Sequence, residues 1–69
     1  MHVVLQSKLL DAAEYDMASS RLKIFMSNGQ IREFCDVPDY VIDDLRTTSS
    51  PGSYYMKLIR NRYRDASLG

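Results

Sequence analysis

The sequence predicts an α+β fold, with a small antiparallel β-meander of about three strands followed by two helices packed on one face. Three observations lead to this prediction. Asn28-Gly29 separates two runs of strand-like composition, the helical patterns come after the strands, and the second helical pattern has one apolar stripe. With 69 residues the chain is expected to be one domain, 1–69, whose ends at residues 1–7 and 65–69 fray.

The first strand is predicted over Leu9–Tyr15, before a turn of small polar residues at Asp16–Ser20. Two further strands follow, at residues 21–27 and 30–35, and Asn28-Gly29 joins them as a hairpin. Both turn residues accept the positive φ of a two-residue type I′ turn, so the turn predicts the pairing of the two strands.

That turn also predicts which side chains share a face, since Met26 would lie opposite Ile31 and Lys23 opposite Phe34. One face forms the core, with Glu33 as its single polar member; the others are Leu22, Ile24, Met26, Ile31 and Cys35. The opposite face carries two aromatic rings between two cations, namely Lys23, Phe25, Arg32 and Phe34.

The first helix is predicted to open at Asp36-Val37-Pro38-Asp39, because proline and acidic residues suit the positive end of a helix dipole. Its apolar face is Val41, Ile42 and Leu45. It is expected to end at Thr47-Thr48-Ser49, which leads into the second helix.

The second helix is predicted over residues 50–64, with Ser50 as its N-cap and Pro51 as its first helical residue. Gly52 weakens that first turn, so Ser53 is an alternative N-cap. Its spacing gives an apolar stripe facing the core, made of Tyr55, Leu58, Ile59 and Tyr63. A basic stripe turns away from the core and consists of Lys57, Arg60 and Arg64, with Arg62 beside Leu58.

The net charge is zero, but the two halves of the chain differ. Residues 1–45 hold four bases and eight acids, whereas residues 46–69 hold five bases and one acid. Such a split is typical of a basic binding face or of two halves that attract each other when packed.

A single-stranded nucleic acid requires cations for its phosphates and exposed rings for its bases. The candidate residues for such binding are Lys23, Phe25, Arg32, Phe34, Lys57, Arg60, Arg62 and Arg64. There is an alternative for each group: another element can cover the rings, and the cations after residue 56 also meet the negative end of the helix dipole. Arg60 can instead pair with Asp39 or Asp44.

A protein-interaction module is the main functional hypothesis, and RNA or single-stranded nucleic-acid binding is the alternative. Tyr54 lies off the apolar stripe and is a candidate interface residue, because tyrosine is enriched at protein interfaces. Its alternative role is partial burial against Leu45 or Val41. The expected partner is a protein, with self-association included, or RNA; we expect no small-molecule substrate.

The sequence argues against an enzyme. The single histidine, His2, is near a chain end, and the single cysteine, Cys35, is predicted to face the core. No catalytic residue, metal ligand set, cofactor or glycine-rich phosphate loop is predicted. A lone cysteine excludes an internal disulfide, and neither a signal peptide nor an apolar membrane span is recognised, so we expect a cytoplasmic location.

Nearly the whole chain resembles the KTSC domain family, named from the C-terminal extension of some lysyl-tRNA synthetases. The matching residues are Tyr15-Asp16, Leu22, Ile24, Asn28-Gly29, Asp36-Val37-Pro38, Ser50, Gly52, Tyr54, Tyr55, Ile59, Arg60 and Tyr63. The chain departs from the family at Arg32-Glu33-Phe34, where a tyrosine-x-tyrosine pair is usual. The resemblance implies a small domain for which RNA binding has been suggested.

Overall fold

The structure, a computed structural model, describes residues 1–66, and four strands precede two helices in it. The elements are β1 (His2–Val4), β2 (Leu10–Asp16), β3 (Arg21–Met26), β4 (Ile31–Phe34), α1 (Tyr40–Thr47) and α2 (Pro51–Leu58). The strands form one antiparallel sheet in the order β1-β2-β3-β4, so each strand pairs with its neighbour in sequence. The predicted fold class is confirmed.

The sheet has one strand more than the approximate count predicted, because residues 2–4 pair with β2 where we expected a frayed end. Val3 lies opposite Ala13, and its side chain is buried in the core. The amino group of Met1 donates a hydrogen bond of 2.9 Å to the Tyr15 carbonyl oxygen. At the other end, residues 65–66 contact β4, and the rest of the predicted frayed end, residues 67–69, lies outside the described residues.

The hairpin between β3 and β4 forms where it was predicted, but its register is shifted by one residue. Phe25 lies opposite Ile31, and Leu22 lies opposite Phe34. The loop has three residues, and among Ser27, Asn28 and Gly29 only the glycine has a positive φ, +92°. A three-residue loop that ends in a left-handed glycine is the next commonest hairpin after the two-residue turn.

Contacts outside the hairpin account for the longer loop. The Ser27 backbone N–H donates to the Leu9 carbonyl oxygen at 2.9 Å, and the Ser27 hydroxyl donates to the Lys8 carbonyl oxygen at 2.6 Å. Ser27 is therefore held by the chain that leads into β2 and does not pair with Gln30. The Asn28 side chain accepts a hydrogen bond from the Gln30 N–H at 2.9 Å, which closes the loop.

The shifted register exchanges the two faces of β4, since side chains alternate along a strand. Phe34 enters the core with 1% of its surface exposed, whereas Ile31, which we predicted to be in the core, is 51% exposed. Glu33 also moves to the face away from the core. Leu22, Ile24 and Cys35 are buried as predicted, and Met26 is partly buried against the core.

Both helices cover the same face of the sheet, and the core lies between the helices and the sheet. Its buried residues are Val3, Leu5, Leu10, Ala13, Tyr15, Leu22, Ile24, Phe34, Val37, Val41, Ile42, Leu45, Tyr55 and Ile59. Helix α1 contributes the three apolar residues that its sequence predicted. A buried hydrogen bond of 2.6 Å, donated by the Tyr15 hydroxyl to the Val37 carbonyl oxygen, joins β2 to the segment before α1.

Helix α2 begins at Pro51 as predicted but ends at Leu58, six residues earlier than the predicted Arg64. Ser50 makes no side-chain capping hydrogen bond among the described residues, contrary to prediction. Gly52 allows a close approach to the segment between β1 and β2: a Cβ atom there would lie 3.1 Å from the Ser7 hydroxyl oxygen.

The early end of α2 follows from the pairing of the chain beyond it with β4. The Cys35 N–H donates to the Arg64 carbonyl oxygen at 3.0 Å, and the Ala66 N–H donates to the Glu33 carbonyl oxygen at 2.6 Å. This segment covers the free edge of β4, which would otherwise expose unpaired backbone groups. Beyond Leu58 the chain instead follows turns that bring residues 64–66 to the end of β4.

Candidate functional site

In the described part of the chain, the face of the sheet opposite the helices carries the most regular arrangement of side chains. We call it the open face. Side chains from all four strands cross it in two adjacent rows. The charged row consists of His2, Glu14, Lys23 and Glu33, and the apolar row consists of Val4, Ala12, Phe25 and Ile31.

Basic and acidic side chains alternate along the charged row. The His2 Nδ1 atom lies 3.0 Å from a carboxylate oxygen of Glu14, and the Arg21 guanidinium donates to Glu33 at 2.9 Å from a position beside the row. Both pairs are partly exposed, so each contributes at most about 1 kcal/mol to the stability of the fold. A groove of about 440 Å³ runs along this row towards Met1.

Lys23 occupies the centre of the charged row, directly opposite Glu14 on one side and Glu33 on the other. The carboxylates of these two residues are engaged by His2 and Arg21. Lys23 itself makes no hydrogen bond or ion pair within residues 1–66. Its ammonium group is therefore available to a negatively charged group of a partner.

The apolar row is unusual because it lies on the side of the sheet that neither α1 nor α2, the helices of residues 1–66, covers. Val4 is 74% exposed and Ile31 is 51% exposed, while Phe25 is partly buried and contacts the His2 ring with 6.2 Å between ring centroids. An apolar strip that crosses four strands and is bordered by charged residues is typical of a protein-binding surface.

The structure separates the predicted nucleic-acid-binding residues onto the two sides of the sheet. Lys23 and Phe25 lie on the open face, whereas Arg32 and Phe34 lie on the helix-covered face. Phe34 packs against Tyr55 in the core, with 6.1 Å between ring centroids, and cannot stack on a base. The predicted platform of two rings and two cations is therefore wrong, and the one-residue register shift is the reason.

The remaining predicted cations lie around α2 and the segment that follows it. Arg32 pairs with Asp65 at 3.5 Å, and an Arg64 guanidinium nitrogen lies 4.0 Å from the Cys35 sulfur. Arg60 is exposed and contacts the Met56 sulfur at 3.6 Å, with no bond to Asp39 or Asp44 among the described residues. Lys57 and Arg62 are exposed as well. Because α2 ends at Leu58, these cations do not form one helical stripe.

Tyr54 is partly buried beside α1, where its hydroxyl donates a hydrogen bond of 2.8 Å to Asp44. Burial, and then this bond to the Asp44 carboxylate, raises the pKa of Tyr54 to about 12. Tyr63, whose pKa is raised by burial and by a hydrogen bond with Tyr40, lines the same shallow pocket. Tyr54 thus links α2 to α1. Its partial burial beside α1 is close to the alternative role considered for it, partial burial against Leu45 or Val41.

The thiol and the possible metal ligands of the described residues form no site. Cys35 is a buried free thiol, and residues 1–66 contain no cluster of histidine, cysteine and acidic side chains that could hold a metal ion. Within the same residues, no helix is long and apolar enough to cross a bilayer.

Sequence reasoning missed most of the open face. Ile31 and Glu33 were assigned to the core, and His2 and Val4 were assigned to a frayed end. One signal was present: in β2, Ala13 and Tyr15 alternate with Ala12 and Glu14, as in a strand with one buried and one solvent-facing side.

Comparisons with known proteins agree with this architecture. A family model described as the KTSC domain matches residues 6–63. A protein of Tsukamurella paurometabola is 30% identical over 64 residues, which is 93% of this chain and 96% of that protein. The crystal structure of a KTSC domain protein from Yersinia pestis is similar, with a TM-score of 0.89 over 100% of this chain and 97% of that one. Its identity is 16%, so that similarity shows the fold. Neither of these relatives has an enzyme's name.

Proposed function

The chain belongs to the KTSC domain family, and from this premise we propose that it is a non-enzymatic module that binds a protein through its open face. The observation that carries the proposal is the apolar row, which exposes Val4 and Ile31 beside the partly buried Phe25 on the uncovered side of the sheet. Covering these side chains removes apolar surface from water, which is the main driving force of protein association.

The charged row supports specific recognition rather than non-specific adhesion. Its alternating signs require a partner with the opposite order of charges, and like charges in contact would disfavour other partners. Lys23, which has no partner within residues 1–66, is the side chain that gains most from such a complement. We also propose a cytoplasmic location, because a chain with a single cysteine fits a reducing compartment.

Single-stranded RNA is the alternative ligand, and the observation in its favour is Lys23 beside Phe25 on the open face. Glu14 and Glu33 flank this lysine and would repel phosphate groups. Arg21, the cation beside the charged row, is paired with Glu33. The other predicted cations lie on the helix-covered side or near α2, which leaves no continuous basic path across the open face of residues 1–66. Protein binding is therefore the better supported function.

Affinity capture from a cell extract tests the proposal with a pair of matched variants. Ile31→Asp places a charge in the apolar row, and Met17→Asp places the same charge at a 71% exposed apolar residue in the turn after β2. We expect the wild type and Met17→Asp to retain the same protein, and Ile31→Asp to lose it. Retention of that protein by all three would contradict binding through the open face.

A polarisation titration with labelled single-stranded RNA and tRNA distinguishes the alternative. We expect no saturable binding near physiological salt, because Glu14 and Glu33 flank Lys23 in the charged row and the neighbouring Arg21 is paired with Glu33. Saturable binding that falls with salt and is lost in Lys23→Ala would establish the nucleic-acid function instead.

A further inference from the structure

We propose that the partner of the open face is a second copy of this chain, packed face to face about a twofold axis that runs parallel to the strands. This inference rests on the proposed function, since it requires the open face to be the binding surface. The order of the side chains in the two rows indicates which molecule binds there.

The charged row is complementary to itself under this rotation. The rotation reverses the strand order, so β1 lies over β4 of the partner subunit and β2 lies over its β3. Glu14 then lies over the partner's Lys23, and His2 lies over the partner's Glu33. Each contact occurs twice, and every one joins a basic side chain to an acidic one. Lys23, which has no partner within residues 1–66, gains a carboxylate.

The apolar row matches itself in size under the same rotation. Phe25 lies over the partner's Ala12, so a large ring faces the smallest side chain of the row. Val4 lies over the partner's Ile31, which pairs the two most exposed members of the row. Sheets packed in this way lie about 10 Å apart, a distance that side chains of these sizes fill.

The axis direction is fixed by the two rows. An in-plane axis perpendicular to the strands would place the charged row of one copy over the apolar row of the other. That arrangement would bury Glu14 and Lys23 against hydrocarbon, which is costly without hydrogen-bonding partners. Of these two in-plane axes, only the one parallel to the strands aligns both rows, and the neutral chain adds no net repulsion between copies.

The interface is small, and the dimer is expected to be weak. Three interstrand spacings and five residues along a strand give a footprint of roughly 15 by 17 Å, in the class that buries less than about 1,200 Å² in total. Such complexes are transient, so dimerisation should depend on concentration and weaken as salt screens the exposed charges.

The first measurement uses the wild type alone. Sedimentation equilibrium from about 20 μM to about 1 mM covers the range in which a small interface dissociates. Over the same dilution series, amide NMR shifts should change on the open face and stay constant in α1 and α2. A monomer at every concentration, or shifts confined to the helices, would overturn the second copy as occupant.

Charge reversal then separates contacts between copies from contacts within one copy. Lys23→Glu places the Glu14 carboxylate over a second carboxylate of the partner subunit, and Glu14→Lys places the Lys23 ammonium group over a second ammonium group. We therefore expect each variant alone to dimerise at least about tenfold more weakly than the wild type, because like charges in contact repel. An equal mixture of the two variants restores both opposite-charge contacts, and so should restore dimerisation.

Lys57→Glu is the matched control, since it makes the same change of charge at an exposed residue of α2, outside both rows. It should leave dimerisation unchanged. Failure of the mixture to associate, with both variants folded by circular dichroism, would overturn the twofold arrangement. The capture experiment with Ile31→Asp and Met17→Asp still tests the proposed function: a heterologous protein lost only in Ile31→Asp, with a monomeric wild type, would support protein binding and overturn self-association.

Discussion

Phe25 and Phe34 lie on neighbouring strands of one sheet, but they belong to two different surfaces. Phe34 is on the helix-covered face with 1% of its surface exposed, and Phe25 is on the open face, partly buried beside charged residues. Packing holds the first face together, whereas the second has exposed apolar groups, the partly exposed Arg21–Glu33 ion pair and the His2–Glu14 contact. The comparison indicates that one face supplies the stability of the domain and leaves the other available for binding.

The same substitution on both faces tests this comparison most directly. Phe34→Ala should lower the free energy of unfolding by about 3–5 kcal/mol, because it empties a fully packed position in the core. Phe25→Ala should cost about 1 kcal/mol, as at other partly exposed sites. Urea denaturation of the two variants measures the difference. Equal losses would mean that the hairpin register differs from the one described.

The end of α2 offers a second matched pair. Ile59 is fully buried and Leu58 is 41% exposed, although the helical pattern placed both in the apolar stripe. Ile59→Ala should cost about 2–5 kcal/mol, whereas Leu58→Ala should change stability by less than about 0.5 kcal/mol. The denaturation midpoints decide this, and a large loss in Leu58→Ala would indicate a longer helix that packs Leu58 inward.

The buried hydrogen bond from Tyr15 to Val37 should make a moderate contribution. Tyr15→Phe removes the donor and leaves a buried carbonyl oxygen unpaired, at a cost of about 1–3 kcal/mol. Tyr55→Phe is the control, because its ring is also buried but its hydroxyl makes no hydrogen bond within residues 1–66. It should cost less than about 0.5 kcal/mol by the same denaturation assay. Similar losses in the two variants would contradict the role of the bond.

The smallest effect is expected between α1 and α2, where the Tyr54 hydroxyl donates a hydrogen bond to the Asp44 carboxylate. The pKa of Tyr54 is about 12 in the folded protein and 10.0 for the unperturbed side chain. Raising the pH therefore deprotonates the unfolded chain first, so this contribution is complete below pH 10 and is lost as the pH rises through 12.

Urea midpoints measured between these pH values should fall in the wild type and fall less in Tyr54→Phe. The residual fall in the variant comes from other tyrosines, since burial also raises the pKa of Tyr55 and Tyr63. Identical pH profiles for wild type and variant would show that Tyr54 ionises as freely in the folded protein as in the unfolded chain.

Much of the fold could be predicted because its signals are local. Asn28-Gly29 placed a hairpin, Val41, Ile42 and Leu45 gave the buried side of α1, and Pro51 marked the start of α2. Each of these depends on the conformational preferences of a few consecutive residues. The α+β class, predicted from strands that precede helices, is confirmed by the similar solved structure, and the resemblance to the KTSC domain family is confirmed by the family model.

The candidate site was largely beyond prediction because it depends on one register. Asn28-Gly29 is compatible with both a two-residue and a three-residue loop, and the choice exchanges Phe34 with Ile31 between the faces. The hydrogen bonds from Ser27 to Lys8 and Leu9 select the longer loop, and they come from residues nearly twenty positions away. A pattern within a few consecutive residues cannot predict a contact between residues so far apart in the sequence.

The sequence by itself determined the α+β class, the order of strands before helices and about half of the core, because periodic apolar residues and turn-forming pairs act over a few residues. Only the tertiary structure decided where α2 ends, on which face Phe34 lies and that two matched rows cross the open face. These features depend on backbone hydrogen bonds between distant segments, such as the one from the Cys35 N–H to the Arg64 carbonyl oxygen. A long-range bond can override a helical pattern or a turn preference, because each of those local preferences is worth only about 1 kcal/mol.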